Sequence, residues 1–314
     1  MHRMFAVVVM LSAWVQHAIG APDSFDALKR QFEYDASQSL GVERSLLYER
    51  EGVNVYDISY ISPRGGRVTA YLVVPTTPGR HAGLLFGHWG AGNRTEFLPE
   101  ATLYARAGAV SLLIDCPWTR PPQWRKQLAQ VQDPESDHQT RVQTVVELRR
   151  GIDLLAARPD VDPNRLAYIG HSFGAQWGAI LSVVDGRLKG AILMCGVPDQ
   201  AAVWRDSVDP DIVAARAALP KGRLEAFLKS SQRTDPVFYV AHSTVPLLFQ
   251  FARYERILNR AAMDRYAQAA RGPKEVRWYD TGHDLNDPQA LADRAAWLKP
   301  IVGLAPIATL TSRR

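Results

Sequence analysis

From Val53 onward, short apolar runs alternate with amphipathic helical stretches, and that alternation marks a mostly parallel sheet covered by helices on both faces. Segments 83–86, 110–114, 166–169, 191–194, 245–251 and 276–279 are nearly continuous apolar runs, as suits central parallel strands buried on both sides. Helical patterns fall between them, at 99–107, 140–157, 173–184, 257–270 and 287–302. In the second of these, Val142, Val145, Leu148, Ile152 and Leu155 form one apolar stripe. Two earlier segments, 53–61 and 67–74, flank a Pro63-Arg64-Gly65-Gly66 turn and alternate with period two, which predicts an antiparallel hairpin. Eight strands are expected, the last six joined by crossovers.

The connection at 199–244 is too long for one helix. Its amphipathic stretch, 211–229, is punctuated by Pro220-Lys221-Gly222, and the whole predicts a small cap inserted over the sheet. Residues 21–50 predict a lead-in, helical over 25–32 and then a polar connection, and 303–314 a tail. The first 20 residues have the layout of a secretory signal: Arg3, an apolar stretch from Phe5 to Val15, and small residues at Ala18 and Gly20 before cleavage near Ala21. That stretch is shorter than the roughly 20 apolar residues a membrane span requires. The expectation is an exported or periplasmic protein with no anchor once the signal is removed.

Composition excludes several classes. With 46% hydrophobic and 22% charged residues the chain can fold without staples, and its two cysteines form no CxxC or zinc-type cluster. No metal or cofactor is expected. The formal charge of +5 is scattered among acids and makes no basic stripe, so nucleic acid is not an expected partner.

The strongest chemical signal is Gly170-His171-Ser172-Phe173-Gly174, which joins an apolar run to a helix. A GxSxG in that setting is a nucleophile elbow: the glycines permit a strained turn that lifts the serine hydroxyl above the sheet, at a helix start that favours developing negative charge. Serine needs a base, and His283 lies on the loop after the final strand. The acid is expected after the penultimate strand, where Glu255 stands; Asp199, after the sixth strand, is the rival, and Asp280 and Asp284 share the histidine's own loop. Oxyanion donors are expected from the N–H of Phe173 and of Trp89, within the loop Gly87-His88-Trp89-Gly90-Ala91-Gly92.

This ordered set, HWGAG, GHSFG, an acid after the seventh strand and TGH after the eighth, resembles the α/β-hydrolase superfamily over about residues 50 to 302. Asp115-Cys116-Pro117, Asp160-Val161-Asp162 and Asp235-Pro236 bring it nearest to the branch of dienelactone hydrolases, acetyl xylan esterases and prolyl oligopeptidase-like enzymes. Dienelactone hydrolases proper use cysteine at the elbow where this chain has Ser172, the acid of this family is usually aspartate, and Ala252 stands where glycine is common. No propeller precedes the domain. The resemblance implies a strand order of 1-2-4-3-5-6-7-8, which puts Cys116 and Cys195 three strands apart, roughly 14 Å. Bridged cysteines need Cα atoms within about 7 Å, so both are expected to be free.

It also implies a serine hydrolase cleaving small-molecule carboxylic esters. A peptidase or amidase using the same groups, and an inactive binding relative, are the alternatives. The loop after the fourth strand holds Trp118, Arg120 and Trp124 and is expected to line the substrate crevice at the carboxyl ends of the strands.

Overall fold

The computed structural model describes residues 24–128 and 130–307. The expected signal segment, and the tail beyond residue 307, lie outside the described residues. Nine strands form one sheet: β1 (Glu43–Arg50), β2 (Val53–Ile61), β3 (Arg67–Pro75), β4 (His81–Gly87), β5 (Ala109–Ile114), β6 (Val161–His171), β7 (Leu188–Met194), β8 (Leu247–Ala252) and β9 (Lys274–Tyr279). Their spatial order is β1-β2-β3-β5-β4-β6-β7-β8-β9. The first three strands and the β3–β5 pair are antiparallel, and every pair from β5 through β4 to β9 is parallel.

Among the described residues, ten α-helices accompany the sheet: α1 (Phe25–Arg30), α2 (Leu98–Arg106), α3 (Pro134–Ala156), α4 (Phe173–Val184), α5 (Gln200–Trp204), α6 (Pro210–Ala217), α7 (Arg223–Ser231), α8 (Pro236–Val240), α9 (Arg260–Ala269) and α10 (Pro288–Val302). Because successive residues of a strand face opposite ways, the central strands feed two cores. On one face Leu85, Leu112, Tyr168 and Leu193 pack with Val145 and Ile152 of α3, Trp177 and Ile180 of α4 and Tyr266 of α9. On the other, Leu84, Phe86, Ile169 and Ile192 meet Ala101 and Tyr104 of α2 and Trp297 and Leu298 of α10. Parallel strands need both faces covered, which is why these segments read as unbroken apolar runs.

One expectation is corrected. The sheet has nine strands, not eight, because the polar connection before residue 50 is the edge strand β1; all eight of its residues are exposed, and it joins the sheet through backbone bonds to β2 with a bulge between Leu46 and Tyr48. A strand with no buried face leaves no apolar alternation to read. The stretch 211–229 divides, at the Pro220-Lys221-Gly222 punctuation the sequence carries, into two helices, α6 and α7, with Gly222 at a left-handed φ of 77° before α7. Residues 199–244 hold α5 to α8, with Phe227 and Leu228 packed on Val131 in a small core of their own. Cys116, after β5, and Cys195, after β7, are buried and unbridged, and burial pushes both thiols well above their ordinary range.

Candidate active site

β6 ends at His171, α4 begins at Phe173, and Ser172 alone makes the turn between them with φ 53° and ψ −109°. The strain thus sits on the serine itself, and the elbow glycines supply space instead. A Cβ on Gly174 would lie 1.9 Å from the carbonyl oxygen of Gly87, and one on Gly170 would lie 2.5 Å from the backbone of Gly174. Only hydrogen fits where the start of α4 crosses the ends of β4 and β6. The Tyr168 hydroxyl donates to the Gly174 carbonyl at 2.7 Å and fixes that crossing from below. Ser172 precedes the helix without capping it, and its hydroxyl is turned toward His283.

His283 reaches Ser172 from the loop after β9. Its Nε2 is 2.9 Å from Ser172 Oγ, and its Nδ1 is 2.6 Å from Glu255 Oε2. The serine is 7% exposed, and the glutamate side chain 1%. Burial acts to raise the Glu255 carboxyl, but the hydrogen bond and charge of His283, with N–H donation from Ile257 and Arg256, outweigh it and hold the group below its usual range. Asp199, the rival acid, is occupied elsewhere: it accepts the Ala202 N–H as N-cap of α5 and pairs with Arg265. Asp280 pairs with Arg253. A hydroxyl bonded to an imidazole that is braced by a buried carboxylate can pass its proton to that imidazole as the oxygen attacks a carbonyl carbon. Cys195, Glu255 and His283 offer three ligand atoms within 4.8 Å of one another, but 2.6 Å between Nδ1 and Oε2 is a hydrogen bond with no room for an ion.

Phe173 opens α4, so its N–H has no carbonyl one turn back within the helix and is free in type to meet an oxyanion. The second expected donor is differently placed. Trp89 N–H donates to Glu96 Oε2 at 2.8 Å, because the chain turns back within seven residues and brings that carboxylate under the loop. The loop itself is firmly tied. His88 Nδ1 contacts the Trp89 carbonyl at 2.6 Å while its Nε2 accepts the Cys116 N–H at 3.0 Å, an arrangement that requires the neutral Nδ1–H form. Burial lowers the His88 pKa and favours the same form.

The loop after β5 does reach this edge, but its expected substrate residues separate. Trp118 donates from Nε1 to the Gly90 carbonyl at 2.7 Å and packs edge-on against the Phe173 ring, so its indole braces the Gly87–Gly92 loop against the start of α4. Arg120 is a correction: it is 1% exposed, and its guanidinium forks onto the buried Glu147 and the Asp115 carbonyl, leaving no arm for a ligand. Trp124 lies over Gly66 in the β2–β3 turn. Sequence reasoning passed over Glu96 and His171, although His171 stands inside the elbow motif; Glu96 Oε1 is 2.7 Å from His171 Nδ1.

No protein-family model and no curated protein matches the sequence. Solved structures match its fold. An acetyl xylan esterase from Paenibacillus sp. R4 superposes with a TM-score of 0.71 at 21% identity, over 88% of this chain and 92% of that one. Acetyl xylan esterase 1 from Thermoanaerobacterium sp. JW/SL YS485 gives 0.70 at 16%, over 93% and 95%. An esterase from Pyrococcus furiosus gives 0.58 at 14%, over 84% and 93%. Strand order, the strand-to-serine-to-helix turn and these superpositions agree: the chain has the α/β-hydrolase fold.

Proposed function

We propose that this protein is a secreted serine hydrolase that cleaves small-molecule carboxylic esters through an acyl-enzyme. The observation that carries the proposal is the unbroken row from Ser172 Oγ through His283 to the buried Glu255, at 2.9 and 2.6 Å. Ser172 Oγ attacks the ester carbonyl carbon as its proton moves to His283 Nε2. Glu255 accepts from Nδ1 and stabilises the imidazolium that results. The negative charge on the carbonyl oxygen develops at the N-terminus of α4, toward the Phe173 N–H. Collapse breaks the bond to the alkoxy oxygen, which leaves as the alcohol with the proton from His283. A water then repeats the sequence on the acyl-serine, giving up its proton to His283 and releasing the acid and the free serine.

Export is proposed from the charged, apolar and small-residue order of residues 1–20. The two acetyl xylan esterases among the structural neighbours make acetyl esters the first substrates to try. A panel of p-nitrophenyl esters of graded acyl length against aminoacyl p-nitroanilides tests the reading: turnover of the short esters supports it. Turnover of the anilides alone makes the protein a peptidase or amidase. Failure of Ser172 to label with a fluorophosphonate makes it an inactive relative.

A further inference from the structure

Beside the serine, histidine and glutamate lies a second carboxylate–imidazole pair that the scheme above does not use. Glu96 sits between β4 and α2, and His171 ends β6 directly before Ser172. Three hydrogen bonds run through them in series. Trp89 N–H donates to Glu96 Oε2 at 2.8 Å; Glu96 Oε1 and His171 Nδ1 are 2.7 Å apart; and His171 Nε2 lies 2.8 Å from the backbone carbonyl oxygen of His283. His171 is 3% exposed and the Glu96 side chain 19%. The indole of Trp89 stacks over His171 at 6.3 Å, and the ring of His283 is 5.3 Å away.

The proton positions follow from the partners. A carbonyl oxygen only accepts, so His171 Nε2 carries hydrogen and donates to His283. One proton must also lie between Oε1 and Nδ1, since two lone pairs would otherwise face each other at 2.7 Å. The two end bonds are therefore fixed in direction, and the central one is held by a single shared proton. Its two ends are backbone atoms of Trp89 and His283, the residues that flank the serine from opposite loops. At Gly282, just before the histidine, an added Cβ would meet nothing within 4 Å, so no neighbouring side chain supports the loop on that side.

We propose that Glu96 and His171 are positioning residues that act as one unit, fastening the backbone of His283 and the Trp89 loop to the elbow so that the His283 imidazole stays on Ser172. The inference rests on the ester-hydrolase reading. Its location supports a positioning role over a merely structural one: a buried polar pair seldom adds stability over an apolar pair of similar size, and this one ends on the two loops of the site. Displacing a reacting group by about 1 Å costs on the order of 10²-fold in rate, so loss of the clamp should appear in kcat.

The test uses the mature enzyme with p-nitrophenyl acetate, together with proton NMR of the far-downfield imidazole N–H region. Glu96→Ala and His171→Ala are each expected to lower kcat by about 10- to 100-fold with little change in KM. The double variant should be no worse than the poorer single one, because the two side chains form one path. Glu96→Gln should recover most of the loss, since its oxygen can accept from Trp89 while its nitrogen donates to His171 Nδ1. Wild-type enzyme should show two downfield resonances, from the Glu96–His171 and Glu255–His283 bonds, and Glu96→Ala should remove one. Unchanged kcat in Glu96→Ala, losses that multiply in the double variant, or a Glu96→Gln defect equal to that of alanine would each overturn the proposal. If His171→Ala does not fold, the alanine and glutamine variants at 96 decide alone. A wild type with both resonances that hydrolyses no ester overturns the functional reading, and this inference with it. A wild type that hydrolyses esters beside a fully active Glu96→Ala overturns this inference only.

Discussion

Glu255 is one methylene longer than the aspartate usual at this position in the fold, and the extra length is taken up locally: its Oε1 turns back to accept the N–H groups of Arg256 and Ile257 while Oε2 meets His283. A glutamine at 255 can preserve that shape but can present an N–H to Nδ1, which sets the wrong imidazole tautomer. Glu255→Gln is expected to cut kcat by about 10³ to 10⁴, whereas Asp199→Asn should change it less than about threefold. A steady-state comparison of the two on one ester decides which carboxylate braces the histidine. Ser172→Ala should remove on the order of 10⁶ of kcat while far-UV circular dichroism stays that of the wild type. At this scale the sequence was most legible where chemistry restricts the residue type, as in Ser172, His283 and Glu255. It was least legible where a common residue acquires its role by folding. Glu96 and Arg120 show the two sides of this: nothing in the local sequence says that one carboxylate turns under a backbone amide, or that one guanidinium is spent on a buried glutamate.

Among elements, those legible in the sequence are the ones that bury something. The strands β4 to β8 and the helices α3, α4 and α10 pack on the two cores, and their apolar spacing records it, whereas β9, expected to be a central strand, is a half-exposed edge with Val276 open to solvent. β1 buries no side chain and so escapes a reading based on hydrophobic pattern. Its Glu43, Arg44, Glu49 and Arg50 place charge on an open sheet edge, which discourages pairing with another chain. The loop after β5 is intermediate: its tryptophans were visible, but whether they face substrate or protein was not. Trp118 bonds to Gly90 and packs on Phe173, so Trp118→Ala should lower the melting temperature, by loss of about 3 kcal/mol of packing, and reduce kcat on all esters alike. A changed ranking of esters with an unchanged melting temperature would instead place the indole in the substrate crevice.

For the whole molecule, two buried groups, Asp235 within the 199–244 insertion and His138 on α3, make opposing demands on pH. Burial pushes the Asp235 carboxyl up to about 7, and it accepts the Gln200 N–H. The folded protein therefore holds a proton there that the unfolded chain, near its ordinary 3.8, has released; this contribution to stability is full at low pH and declines as pH rises from about 4 to 7. His138 on α3 is pushed down to about 4 by burial, with Arg233 adding to the shift. Here the unfolded chain binds the extra proton, so stability is lost as pH falls from 6.5 toward 4. The two slopes oppose each other over nearly the same range. Asp235→Asn keeps the acceptor for Gln200 and removes one slope: calorimetry should find the variant more stable than wild type at pH 8, converging on it as pH falls below 3.8, and more steeply destabilised by acid in between. A variant less stable at pH 8 would mean that the carboxylate is charged and favourably paired in the folded state.

The φ of 53° at Ser172 has a consequence for descent as well as for chemistry. A left-handed backbone costs a residue with a side chain about 1 to 2 kcal/mol and costs glycine almost nothing. Ser172→Gly should therefore give a protein that melts higher than Ser172→Ala, with neither of them active. Wherever serine is encoded by AGC or AGT, a single transition in the first base makes that glycine. Under the proposed mechanism, the mutation that would end catalysis also relieves the backbone, so in a lineage that no longer needs that chemistry, glycine at the elbow should be found more often than alanine.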